Sequence, residues 1–287
     1  MNRISPDLLQ SGVCLWVDFP EWGAPLFFSR PLEILVAHHP GAVRQTLRDA
    51  EAAARAGRWV GGFLSYEAAA AFDGPVVPPA ADGVPLAWFA LFDPPREATY
   101  PALASGPLSS CSPPVPAISN LRYRQDLAAI ATAIGAGESY QVNYTIPTHL
   151  APGVDPATLF LRLQSAHRFP RALWMRTPEW AVASLSPETF LQKQGNLLAT
   201  APIKGTRPRG GDPERDQALG AELEAAEKDR AEHVMIVDMA RNDLGRICRT
   251  GSVGVAPFLA RRHFSTVHHL ESWVHGEARP GVGLEEA

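Results

Sequence analysis

The 287-residue sequence predicts an α+β fold of antiparallel sheets with flanking helices. Three observations predict it. Short β-branched or aromatic runs are paired through turn residues, helical periodicity is gathered into separate runs, and no regular strand–helix–strand alternation or internal repeat is present. Val13–Val17, Leu32–Val36 and Leu86–Phe92 read as strands, with a helix of Ala, Arg and Glu over Val43–Ala56 between the last two. Asp93–Ser119 then turns to Pro, Ser and Ala with little periodicity, which predicts a linker and a boundary between segments 1–118 and 119–287.

Beyond that boundary Tyr123–Gly135 is helical, with Leu127, Ile130 and Ile134 at spacings of three and four. Gln141–Leu150 alternates enough for a strand, and Pro156–Arg168 reads as a helix with proline at its start. Ala172–Arg176 and Trp180–Leu185 are strands. Thr189–Gln194 and Leu197–Ala201 flank Gly195-Asn196, a strong hairpin signal. Glu214–Leu244 is a long helical stretch with a break expected near Lys228-Asp229, and Arg241-Asn242-Asp243 is expected to end it.

Composition excludes several classes. A net charge of −4 and a pI near 6.1 give no global attraction to nucleic acid or an anionic membrane. No stretch approaches the roughly 18 uncharged apolar residues of a membrane span, and Met1–Asp7 has no apolar signal core, so a cytoplasmic location is expected. Cys14, Cys111 and Cys248 are too far apart for paired metal ligands, which points to a reducing compartment without a zinc site or a disulfide framework.

The chain has three lysines, Lys193, Lys204 and Lys228, against 23 arginines. A lysine retained in so arginine-rich a chain is either a residual surface charge or a residue needed because it can lose its proton, which arginine cannot do near neutral pH. Lys204 stands in Pro202-Ile203-Lys204-Gly205-Thr206, just past the hairpin that Glu188 enters, so the two are expected to be neighbours. They are an acid and nucleophile pair or a surface ion pair worth under about 1 kcal/mol. Asp229 and Glu232, spaced i, i+3 on a helix, share a face and suit a hard cation such as Mg²⁺, or are simply solvated acids. His268-His269 beside an apolar strand offers a general acid or base, or a structural pair. Gly205-Thr206 could present N–H groups and a hydroxyl to a carboxylate or phosphate.

Taken together, six ordered segments closely resemble the chorismate-utilising enzymes, a family that includes anthranilate synthase component I, aminodeoxychorismate synthase component I, isochorismate synthase and salicylate synthase. They are Gly61–Glu67, Gly137–Asn143, Ser186-Pro187-Glu188, Pro202–Thr206, Asp229–His233 through Asp243, and Val267–Ser272. The resemblance implies antiparallel sheets packed face to face, an N-terminal anthranilate-synthase-like domain over 1–118, and a partial chorismate-binding catalytic domain over 119–287. Lysine at 204 with glutamine at 141 resembles the aminodeoxychorismate synthase combination, where anthranilate synthases carry alanine at the first position and water-using members carry lysine at the second.

The resemblance therefore implies conversion of chorismate and ammonia to 4-amino-4-deoxychorismate, on the way to p-aminobenzoate and folate, with a separate glutamine amidotransferase subunit supplying the ammonia. It gives Lys204 the role of nucleophile and Glu188 that of general acid, which needs a raised carboxyl pKa. It places His269 near the C1 carboxylate or the leaving group, and Gly205, Thr206 and Gln141 around the substrates. Glu232 with Asp229 would hold Mg²⁺. Family members continue past Leu284–Ala287, so a C-terminal part carrying further metal carboxylates and a substrate-binding arginine is expected to be missing. The alternatives are anthranilate synthase component I, or an inactive relic that only binds a partner.

Overall fold

Gly195 adopts φ +60°, the left-handed conformation that glycine reaches without steric cost, and so closes the hairpin between Thr189–Gln194 and Leu197–Ala201 where the Gly195-Asn196 signal puts it. The computed structural model describes residues 2–3, 9–72, 83–99, 112–151 and 153–287. In chain order the strands are β1 (Asn2–Arg3), β2 (Cys14–Asp18), β3 (Leu26–Ser29), β4 (Glu33–Ala37), β5 (Trp59–Leu64), β6 (Ala87–Phe92), β7 (Arg96–Thr99), β8 (Val115–Pro116) and β9 (Thr148–His149). They continue with β10 (Arg171–Arg176), β11 (Ala181–Ser186), β12 (Thr189–Gln194), β13 (Leu197–Ala201), β14 (Ile203–Pro208), β15 (Gly254–Val255), β16 (Ala260–His263), β17 (Val267–Glu271) and β18 (Val274–Glu277). The helices are α1 (Pro40–Arg55), α2 (Asn120–Gly135), α3 (Pro156–His167), α4 (Pro213–Ala225) and α5 (Glu227–Ile247).

These elements form an α+β fold. A six-stranded sheet runs β1-β7-β3-β2-β10-β11, and a three-stranded sheet runs β4-β6-β5. The two meet face to face through Leu15, Val17, Leu26 and Phe28 of one and Trp88, Ala90 and Phe92 of the other. The six-stranded sheet takes strands from both sides of residue 118. Its other face buries Trp16 and Trp174 against Phe160 and Leu161 of α3. Helix α3 starts as proline and a capping aspartate dictate: Pro156 fills the first turn and the Asp155 carboxylate accepts the Thr158 N–H at 2.9 Å.

The second half adds a four-stranded sheet, β12-β13-β18-β15, and a three-stranded sheet, β14-β17-β16. Helix α5 packs Val237 and Leu244 onto Leu198 and Val274 of the four-stranded sheet, and its N-terminal part lies against β14. Among the described residues no helix is long and apolar enough to cross a membrane.

Several sequence expectations are corrected. Gln141–Leu150 is not a strand; only Thr148 and His149 pair there, with Val115 and Pro116, because the stretch lacks a longer partner. The helical break falls at Ala226, whose ψ of 106° leaves the helix two residues before Lys228. Arg241-Asn242-Asp243 lies inside α5, which runs on to Ile247. Part of the expected linker is strand β7, whose pairing with β3 and β1 no local pattern announces. Residues 100–111 of that linker, including Cys111, lie outside the described residues. The stripe of α2 forms a helix as expected, but none of its residues is buried, and Leu121, Leu127 and Ile134 are all exposed.

Candidate active site

Strand β14 delivers Lys204, Gly205 and Thr206, and its register with β17 decides where each side chain goes. Lys204 pairs with Leu270, but the next pair is Thr206 with His269, so Gly205 is an extra residue in a bulge. Gly205 has φ +80°, and a β-carbon there would meet Leu223 Cδ1 at 3.0 Å and Asp229 Cβ at 3.2 Å. Glycine is thus required twice, for its dihedral and for the close approach of α4 and α5.

Directly opposed residues share a sheet face. Lys204 with Leu270 and Arg207 with His268 therefore lie on the face toward α4 and α5. The contacts agree: Arg207 bonds Glu222 of α4 at 2.7 Å and Asp229 of α5 at 3.0 Å, and His268 lies 2.9 Å from Asp216 of α4. Thr206 and His269 lie on the opposite face. Their contact is direct: His269 Nδ1 is 3.0 Å from both Thr206 Oγ1 and the Gly205 carbonyl. A carbonyl only accepts, so Nδ1 is the donor in its contact with Gly205. The bulge thus splits the residues picked out in the sequence between two faces of one small sheet.

Glu188 stands at the start of the β12–β13 hairpin and reaches across it. Its Oε1 accepts the Ile203 N–H at 3.0 Å, one residue from Lys204. The Glu188 main chain is held in turn by Ser186, whose hydroxyl meets both its N–H and its carbonyl at 3.2 Å. Lys204 itself is half-buried, and among the described residues no carboxylate lies within ion-pairing distance of it.

Asp229 and Glu232 share the N-terminal part of α5 as their spacing requires. Asp229 packs against Gly205 and pairs with Arg207. Glu232 lies 3.7 Å from the exposed ammonium of Lys228. Gln141 is separate: it lies in the irregular segment after α2, its side-chain oxygen is buried without a hydrogen bond, and no hydrogen bond or ion pair among the described residues joins it to Lys204.

Sequence reasoning passed over two residues at the heart of this geometry. His233 is fully buried, with Nε2 2.7 Å from Ser272 Oγ. Burial pushes its imidazole pKa down, the charge of Lys204 adds to that, and the Lys204 main chain opposes it. Its signal in the sequence was its place four residues after Asp229, on the same helical face. Ser272 carried no comparable local signal. A second group, Asp216, His263 and His268, brings one carboxylate and two imidazoles together. Its carboxylate is already closed, however: Oδ1 and Oδ2 accept Arg209 Nε and Nη2 at 2.7 and 2.8 Å, and Gly210 N–H adds a third bond at 2.8 Å. The Arg209 bond, first, holds the Asp216 carboxyl well below the usual carboxylate range.

Two concavities lie elsewhere among the described residues. One of about 430 Å³ is lined by Gln192, Trp273 and His275 on the four-stranded sheet, and one of about 340 Å³ by Phe89, Leu191 and Leu284. Lys204 and its neighbours line neither; Lys204 is half-buried, and Thr206 and Glu188 are exposed.

Known proteins resemble this chain in sequence and in fold. The family described as chorismate binding enzyme matches residues 109–287. Aminodeoxychorismate synthase component 1 of Bacillus subtilis (strain 168) is 42% identical over 159 residues, which are 55% of this chain and 34% of that protein. An anthranilate synthase component 1 of Haloarcula marismortui is 38% identical over 151 residues, 53% of this chain and 31% of that protein. The matched stretch is about a third of the length of these curated relatives. The solved anthranilate synthase component I of Streptococcus pneumoniae TIGR4 superimposes with a TM-score of 0.76 at 18% identity, covering 95% of this chain and 71% of that one; this likeness is one of fold.

Proposed function

Because the chain belongs to the chorismate-binding enzymes, we propose that it carries the lysine-bearing part of an aminodeoxychorismate synthase component I, which converts chorismate and ammonia to 4-amino-4-deoxychorismate. The observation that carries this reading is Lys204, half-buried on the α5-facing side of a bulged strand, unpaired by any carboxylate among the described residues, with Glu188 anchored one residue away. The matched Bacillus subtilis protein bears the same name.

In this reading Glu188 gives its proton to the C4 hydroxyl of chorismate, which departs as water. The Lys204 amine attacks C2, the ring double bonds shift, and a covalent adduct replaces one difficult displacement by two. Ammonia then attacks C4, the double bonds shift back, and the lysine is expelled. His269 donates from Nδ1 to the Gly205 carbonyl and presents Nε2 on the other face of the sheet. Gly205, Thr206 and Gln141 complete the substrate surroundings, and a glutamine amidotransferase subunit supplies the ammonia.

The family implies Mg²⁺, and the donors present suit it in kind: Asp229 and Glu232 are oxygen ligands on one helical face. Glu232, whose ion pair among the described residues is with the exposed Lys228, would be the main ligand, with Asp229, tied to Arg207, in support. Bound there, Mg²⁺ would neutralise charge on a substrate carboxylate.

The experiment is product analysis with chorismate, Mg²⁺ and ammonium. Formation of p-aminobenzoate only after a lyase is added supports the proposal. Anthranilate fluorescence without lyase would instead establish the second reading, anthranilate synthase component I, which the 38% identity to the Haloarcula marismortui protein favours. In active protein, Lys204→Ala is expected to abolish aminodeoxychorismate formation; an unchanged rate rules out Lys204 as the nucleophile.

A further inference from the structure

His233 is buried where α5 crosses β14, and its surroundings are unusually well tied. Nε2 lies 2.7 Å from Ser272 Oγ, and that same oxygen accepts the Leu259 N–H at 2.8 Å. The Ser272 N–H donates to the Pro202 carbonyl at 3.3 Å, two residues before Lys204. Ser272 therefore joins three segments: helix α5 through His233, the turn before β16 through Leu259, and the start of β14 through Pro202.

The other ring nitrogen, Nδ1, is buried and makes no hydrogen bond of ordinary geometry. A buried polar atom without a well-formed hydrogen bond is costly. Apolar packing would fill the same space without that cost, so the ring's polar atoms call for an explanation. The strand beside it supplies one, because Ser272, which meets Nε2, also holds the Pro202 carbonyl two residues before Lys204. The register agrees: Lys204 pairs with Leu270, which places it on the face that α5 covers. Asp229, one turn before His233, packs against Gly205, so one face of α5 meets both residues of the bulge.

We propose that His233, through Ser272, is a positioning residue for Lys204: it holds the Pro202–Gly205 segment from the buried side, so that the Lys204 amine leaves the bulge in one fixed direction. The proposal rests on the functional reading only for the importance of Lys204, and its test needs no turnover.

With only three lysines, reductive methylation using ¹³C-formaldehyde gives a methyl spectrum simple enough to follow each one, and Lys204→Arg identifies the Lys204 signal. His233→Ala and Ser272→Ala are each expected to displace the Lys204 signal by more than its linewidth while Lys193 and Lys228 stay in place. His233→Gln, which can return a hydrogen-bonding group to Ser272, is expected to bring it back toward its original position. Ser272→Ala removes a single hydroxyl and carries the test if His233→Ala fails to fold. An unmoved Lys204 signal in folded Ser272→Ala or His233→Ala protein overturns the proposal, as does a failure of His233→Gln to restore a displaced one. A chain that forms no aminodeoxychorismate but shows these shifts would refute the function and leave the positioning role standing.

Discussion

Gly205→Ala tests the bulge on which the site is built. Alanine at φ +80° pays for the left-handed conformation, about 1–2 kcal/mol. It also brings a methyl to 3.0 Å from Leu223 Cδ1 and 3.2 Å from Asp229 Cβ, closer than ordinary contacts. Leu223 is fully buried and Asp229 Cβ is fixed to the α5 backbone, so neither neighbour yields easily. Overpacking of this kind costs about 1–3 kcal/mol more. Gly195→Ala is the control, since Gly195 has φ +60° with nothing within 4 Å of its would-be β-carbon. The total for Gly205→Ala is then about 2–5 kcal/mol, against about 1–2 for the control. Urea unfolding followed by circular dichroism measures both. If the two variants lose the same stability, α4 and α5 do not close on Gly205, and the separation of Lys204 from Thr206 onto opposite faces loses its cause.

The fold also predicts a pH dependence. Burial lowers the folded-state pKa of His233, so its contribution is complete above the ordinary imidazole pKa of about 6.5 and declines as pH falls below it, where the unfolded chain binds the proton more readily. Urea midpoints measured across this range should fall on acidification in the parent chain and fall less in His233→Gln. Leu198→Ala should cost about 2–5 kcal/mol, because Leu198 is fully buried between the four-stranded sheet and α5; a loss under about 1 kcal/mol would mean that this interface is loose.

What the sequence made legible was local. The β12–β13 hairpin follows from Gly195-Asn196, and α3 from Asp155 and Pro156, because each signal lies within a few residues of the structure it causes. The expected neighbourhood of Glu188 and the Lys204 segment follows from the same hairpin logic and appears as the bond from Ile203 N–H to Glu188. Strand β7 was hidden in a Pro-rich stretch because its partners, β1 and β3, lie far away in the chain. The bulge was hidden for a related reason: β14 finds its register against β17, more than sixty residues later. Proximity in sequence suggested that Lys204, Gly205 and Thr206 act together, whereas pairing sends Lys204 to one face and Thr206 to the other.

This separation changes how the site must be assembled. Lys204 lies on the α5 side and Glu188 is anchored at the strand entrance, while Thr206 and His269 look out from the opposite face. The two sets meet at the bulged end of β14, where Lys204 gives way to Thr206. The extra residue at Gly205 turns the strand there, and only glycine lets α4 and α5 come close enough to hold that turn. Lys204, His269 and the two helices are therefore coupled through one residue without a side chain, since Gly205 adjoins Lys204, accepts from His269 and packs against Leu223 and Asp229.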